Sequence, residues 1–97
     1  MKVSLDMLAL LNGLATRVKT SGLRGAANLE EKLEDAGLDS LDIVLLSIYV
    51  CEIFGIAEEA GKSLRPLTFG DLVRFAEEHA TREPSSVESA LAEIDGD

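Results

Sequence analysis

Leu5, Leu8, Leu11, Ala15 and Val18 recur at steps of three and four residues, which predicts an amphipathic helix from about Ser4 to Lys19. Ser4 is its expected N-cap with Asp6 in the first turn, and Ser21-Gly22 its stop. Gly13 weakens the middle of this helix by roughly 1 kcal/mol relative to Ala, unless close packing requires it. A long connection follows over residues 20–38, with Gly22, Gly25, Asn28 and Gly37, in which Leu29 and Leu33 hint at one short helical turn. The second main helix runs from about Ser40 to Phe54, opened by Asp39 as N-cap with Asp42 three residues on, an acidic variant of the capping box, and closed by Gly55.

Glu58–Leu64 is expected to form a short third helix, broken by Gly61 and ended before Pro66. Thr68 with Asp71 caps a last principal helix that buries Phe69, Leu72, Val73 and Ala76 and runs out near Ala80. The sum is an all-α fold, a small antiparallel bundle of three main helices and one short one. Residues 1–82 make the domain and residues 83–97 an acidic tail ending Asp-Gly-Asp. The tail's default state is solvated and disordered; Ser85 with Glu88, and Val87, Ala90, Leu91 and Ile94 on one face, allow an extra helix instead.

Composition narrows the function classes. A chain of 97 residues with 46% hydrophobic positions holds one modest core, and the scarcity of aromatics means that Leu, Ile, Val and Ala must build it. The net charge of -9 argues against nucleic acid and for basic protein partners. Residues 29–59 alone sum to -8, so the start of the second helix lies where a positive partner is steered most strongly. A lone cysteine, Cys51, forms no internal disulfide and reads as a small core residue, consistent with a reducing cytoplasm. His79 is the single histidine and offers no material for a metal site; it suits the C-terminal end of its helix. Asp6, Asn12 and Arg17 interrupt the leucine-rich N-terminus, so no signal peptide is expected, and no apolar run reaches the ~18 residues needed to cross a bilayer. A soluble, cytoplasmic monomer without membrane insertion is the expectation.

Ser40 places a hydroxyl at the beginning of a helix, where free backbone N–H groups and the helix dipole favour an anion. Read locally, it begins or caps the helix. The run Leu33-Glu34-Asp35-Ala36-Gly37-Leu38, then Asp39-Ser40-Leu41-Asp42, then Val44, Leu46, Glu52 and Phe54-Gly55-Ile56, resembles the acyl carrier protein family over roughly residues 29–80. The resemblance implies that Ser40 carries a 4'-phosphopantetheine transferred from coenzyme A by a separate phosphopantetheinyl transferase, and that the thiol of this arm holds acyl groups as thioesters. It further implies that Asp39, Leu41 and Asp42 help partners recognise the serine. The partners implied are that holo-carrier synthase, an acyl-loading ligase or acyltransferase, and a ketosynthase or other acyl-processing enzyme, in fatty-acid, polyketide or related specialised lipid biosynthesis.

The chain departs from the pattern of housekeeping carriers at Leu45, Cys51 and Ile53, where acids are usual. A greasier exposed face follows, with Leu45, Ile48 and Tyr49 as candidates for exposure and Glu52 as a remaining acidic contact. Eleven of the fifteen residues from Ser40 to Phe54 are apolar, more than one buried stripe needs. Either the loop and tail cover the excess or a dedicated partner surface does, and a specialised carrier is the favoured form. Gly37, three before Ser40, also suits an aminoacyl or peptidyl carrier, against which Ala36 and Asp42 weigh. A third reading is an unmodified helical adaptor binding through helix two. No hydrolase elbow, phosphate loop or metal spacing is present, so the chain is not expected to be an enzyme; the acid pairs Glu30-Glu31, Glu58-Glu59 and Glu77-Glu78 read as solvated surface.

Overall fold

A computed structural model describes residues 2–96; Asp97, the end of the expected Asp-Gly-Asp tail, lies outside the described residues. Among the described residues the fold is all-α, with five helices: α1 (Met7–Val18), α2 (Ser40–Phe54), α3 (Glu58–Ser63), α4 (Phe69–His79) and α5 (Val87–Asp95).

α2 is the central element, touching each of the other four helices. That position explains its composition, because a helix enclosed on several sides needs apolar residues around most of its circumference. Leu46, Ser47, Val50, Cys51, Ile53 and Phe54 are all buried. The one polar member, Ser47, is satisfied within its own helix, donating from Oγ to the Ile43 carbonyl at 2.8 Å. Gly55 then ends α2 with φ of 66°, a left-handed conformation open to glycine at little cost.

α1 begins later than its pattern suggests. Asp6, not Ser4, is the N-cap, its carboxylate accepting from the Ala9 N–H at 3.1 Å. Ser4 is committed elsewhere: its N–H and its hydroxyl both donate to Glu83, at 2.9 and 2.8 Å, tying the N-terminal segment to the α4–α5 connection. The buried face is Met7, Leu10, Leu11, Leu14 and Ala15, rotated from the expected stripe, and Leu8 is only half-buried. In a sequence with leucine or methionine at five of eight positions, two faces fit nearly equally, and the cap decides between them.

The connection over residues 20–38 forms no helix, but it does form hydrogen-bonded turns at Leu29 and over residues 33–37, where the Ala36 N–H reaches Lys32 O at 3.2 Å, a single helical turn around Leu33. It is held in place by backbone bonds to the start of α4, with Leu33 N–H to Leu67 O at 2.9 Å, Phe69 N–H to Glu31 O at 3.1 Å and Gly70 N–H to Leu29 O at 2.7 Å, around an isolated antiparallel bridge between Lys32 and Thr68. The Asn12 side chain pins the same connection to α1 by donating to and accepting from the Ala26 backbone, both at 2.8 Å.

Gly61 does not break α3. It is buried in the helix, where an added Cβ would lie 2.7 Å from Cys51 Sγ and 3.2 Å from the Ser47 carbonyl oxygen, so the missing side chain lets α3 lie directly on α2. α4 is capped by Thr68 and Asp71 in a reciprocal box and buries Phe69, Leu72, Phe75 and Ala76, with Val73 half-buried. His79 lies in the last turn of α4 against Phe75, ring centroids 5.1 Å apart, and Nε2 is 3.8 Å from Glu78 Oε2.

The acidic tail is not left solvated. Its helix, α5, is capped by Ser86, not by the Ser85–Glu88 pair, and the Ser89 N–H donates to Ser86 Oγ at 3.0 Å. Ala90 is fully buried against the core, with Val87, Leu91 and Ile94 packed beside it. Gly13 is the reason α5 can approach α1: a Cβ there would lie 2.8 Å from Leu91 Cδ1. Arg17–Asp95 at 2.9 Å joins α1 to the end of α5, and Arg82–Glu93 at 2.7 Å ties α5 to the connection before it.

Candidate functional site

Ser40 is the first residue of α2 and is exposed. The geometry around it comes from Asp39 and Asp42. Asp39 Oδ1 accepts from the Asp42 N–H at 2.9 Å, and Asp42 Oδ2 accepts from the Asp39 N–H at 3.0 Å, closing the capping box from both sides. Lys19 Nζ reaches the same Asp42 oxygen at 3.3 Å from the end of α1. The backbone bond from Asp39 comes first, with Lys19 behind it, in holding the Asp42 carboxyl below the ordinary carboxylate range. The box fixes the first turn while leaving the Ser40 hydroxyl and the N–H groups of Ser40 and Leu41 without a hydrogen-bond partner among the described residues.

A cleft of about 480 Å³ opens beside Ser40. One side is α2, through Ser40, Leu41, Ile43 and Val44; the other is the segment Leu64-Arg65-Pro66-Leu67 joining α3 to α4. Its lining is mostly aliphatic, and two exposed leucines, Leu41 at 67% and Leu67 at 72%, stand among its walls. Leu45, 38% exposed and one turn further along α2 from Leu41, extends the apolar surface.

The remaining sequence-predicted positions divide between surface and core. Ile48 is half-buried and lines a smaller cavity with Cys51, Glu52, Ile56 and Glu58, remote in sequence from the Ser40 end of α2. Tyr49 is half-buried and packed against the core, so only part of it reaches solvent. Glu52 is exposed, and its carbonyl accepts from Arg82 Nη2 at 2.6 Å. Cys51 and Ile53, expected to make the exposed face greasier, are core residues with 2% and 0% exposure. α3 lies on one and the bundle encloses the other, so neither contributes a partner surface. Burial also pushes the Cys51 thiol up, as fits a packing role. Among the acid pairs, Glu31 and Glu77 accept from the backbone N–H groups of Ala27 and Val3, and so are not merely solvated.

The 64–67 wall of the cleft was missed by sequence reasoning, which used Pro66 only as a helix stop. The available signal was Leu64-x-Pro66-Leu67, three apolar residues in a short interhelical connection where polar turn residues are usual. No group of three or more His, Cys, Asp or Glu that could hold a metal occurs among the described residues, and no described helix is long and apolar enough to cross a membrane. No family model, curated protein or solved structure matches this chain.

Proposed function

We propose that the chain is an acyl carrier protein in which Ser40 bears a 4'-phosphopantetheine arm. The observation that carries this reading is the exposed, unbonded Ser40 hydroxyl at the first position of α2, held at the mouth of an apolar cleft by the doubly closed Asp39–Asp42 box. The residues present fit the group. The unpaired N–H groups of Ser40 and Leu41 sit at the positive end of α2, where an esterified phosphate is favoured. The cleft has room and lining for an aliphatic chain. When bound, the arm supplies a thiol that carries the acyl group as a thioester.

The chain's own residues orient and shield. Asp39 and Asp42 hold the first turn so that Ser40 faces outward, Lys19 neutralises one carboxylate beside it, and Leu41 with Leu67 flanks the entrance. The acidic stretch around Ser40 attracts basic surfaces on a phosphopantetheinyl transferase, on an acyl-loading ligase or acyltransferase, and on a ketosynthase or other acyl-processing enzyme. In this reading the protein is a cytoplasmic monomer that presents cargo and is not itself an enzyme. The exposed leucines Leu41, Leu45 and Leu67 favour a specialised carrier with few partners, although Cys51 and Ile53 lend that preference nothing.

The same leucines support a second reading, an unmodified adaptor that docks through α2. Intact mass before and after incubation with coenzyme A and a broad-specificity phosphopantetheinyl transferase separates the two. A carrier gains one phosphopantetheinyl unit, and Ser40→Ala gains none. No gain by folded, initially unmodified wild-type protein refutes the carrier reading and leaves the adaptor.

A further inference from the structure

Among the residues lining the cleft beside Ser40, one side chain is charged, Arg65. Its backbone is constrained, because the residue before a proline is held near the extended region, and Pro66 is buried. Its Nη1 donates to the carbonyls of Lys62 at 2.8 Å and Leu64 at 2.9 Å, groups left open where α3 ends. A guanidinium has five N–H donors, two of them on Nη1. The Nε and Nη2 edge therefore remains available, and it is the edge whose two parallel donors match two oxygens of a phosphate.

No described carboxylate makes an ion pair with Arg65. Two acids, Asp71 and Glu78, share a neighbouring surface cleft with it. Asp71 is already engaged by the amides of Leu67 and Thr68 and by Arg74, and Glu78 lies beside His79. An acidic protein thus keeps a cation without an ion pair in the cleft that its modifiable serine also lines.

We propose that Arg65 is a positioning residue that grips the phosphodiester formed on Ser40 through its Nε and Nη2 edge, laying the arm along the cleft. This rests on the carrier reading of Ser40. An exposed ion pair of this kind gives a preference of about 1.4- to 5-fold for the gripped state. A preference that small biases the arm without locking it, which a carrier that must surrender its arm to other proteins requires.

The test uses the full chain modified with coenzyme A and the transferase, as wild type, Arg65→Gln and Arg65→Lys, each checked for fold by circular dichroism. Proton–nitrogen correlation spectra follow the Arg65 Nε–H signal, and phosphorus NMR follows the diester. Modification should move the Arg65 signal downfield. The phosphorus line should be narrower in Arg65→Gln, and intermediate in Arg65→Lys, which keeps the charge but loses the fork. About 1 M NaCl, with a screening length near 3 Å, should narrow the wild-type line and leave Arg65→Gln unchanged. Modification at Ser40 with no movement of the Arg65 signal and equal line widths in the three proteins overturns the role of Arg65 while sparing the carrier reading. Failure of wild-type protein to be modified overturns both.

Discussion

Gly61→Ala sets two opposed effects against each other. Helix propensity alone favours alanine by about 0.8–1 kcal/mol at a helical position. Packing opposes it, since the new Cβ would lie 2.7 Å from Cys51 Sγ and 3.2 Å from the Ser47 carbonyl oxygen, whereas nonbonded atoms prefer about 3.5–4.0 Å. The Ser47 carbonyl belongs to the backbone of the central helix and cannot yield, and Cys51 is enclosed, so α3 must lift from α2 by about 1 Å. Overpacking of this kind costs about 1–3 kcal/mol, which outweighs the propensity and leaves a net loss of about 1 kcal/mol. For a domain of this size the melting temperature should fall by about 4–8 °C. Thermal and urea unfolding followed by circular dichroism would measure it, with Cys51→Ala and the double variant completing a cycle. Removal of the sulfur should recover part of the loss, with a coupling of at least about 0.5 kcal/mol. A Gly61→Ala protein about 1 kcal/mol more stable than wild type would refute the packing account and show that position 61 is an open helical site.

Asp42→Ala should cost about 1 kcal/mol in urea unfolding, because the Asp39 N–H and Lys19 both lose their acceptor. The Asp42 carboxyl is held low in the folded state, so its contribution is complete above the unfolded value near 4 and is lost as pH falls through the lower folded value; Asp42→Asn should flatten that part of the acid stability profile. Gly13→Ala should crowd Leu91, whose Cδ1 would lie 2.8 Å from the added carbon, and loosen α5; proteolysis within residues 80–96 should accelerate, and the same substitution in a Leu91→Ala background should instead stabilise by up to about 1 kcal/mol. Leu41→Ser, at a side chain 67% exposed, should change stability by less than about 0.5 kcal/mol yet slow modification of Ser40, and an unchanged rate would remove Leu41 from the recognition surface.

The features legible in the sequence were those fixed by local chemistry. Asp39 with Asp42, Thr68 with Asp71, and Gly55 are caps whose partners lie within a few residues, and each stands where the pattern put it. Positions decided by distant groups were not legible. Ser4 could have capped α1, but Glu83 takes its hydroxyl and Asp6 caps in its place. Gly61 looked like a helix breaker because its purpose, close approach to Cys51, involves a residue on another helix. α5 was ambiguous for the same reason: its amphipathic face is short, and only Gly13 on α1 makes room for Leu91. At the site, Ser40 and its box could be read directly, whereas the facing wall of Leu64 to Leu67 could not. That wall arises from how α3 lies on α2, and α2's apolar excess likewise made sense only once its neighbours were in place.

The backbone bonds between residues 29–33 and 67–70 bear on how the cleft can move. Its outer wall, which ends at Leu67, is the near edge of a small frame and not a free flap, since Leu67, Phe69 and Gly70 are each bonded across to the long connection. Swinging the wall outward alone would break the Leu33–Leu67 hydrogen bond, and a movement that also takes Phe69 and Gly70 would break all three backbone hydrogen bonds. Carrying residues 29–33 with it preserves them, and engages Asn12 and the whole strap back to α1. Opening is therefore a collective motion of two chain segments far apart in sequence, and the amides of Leu33, Phe69 and Gly70 form its gauge: they exchange together with solvent if the frame shears, and stay protected if it moves as one body.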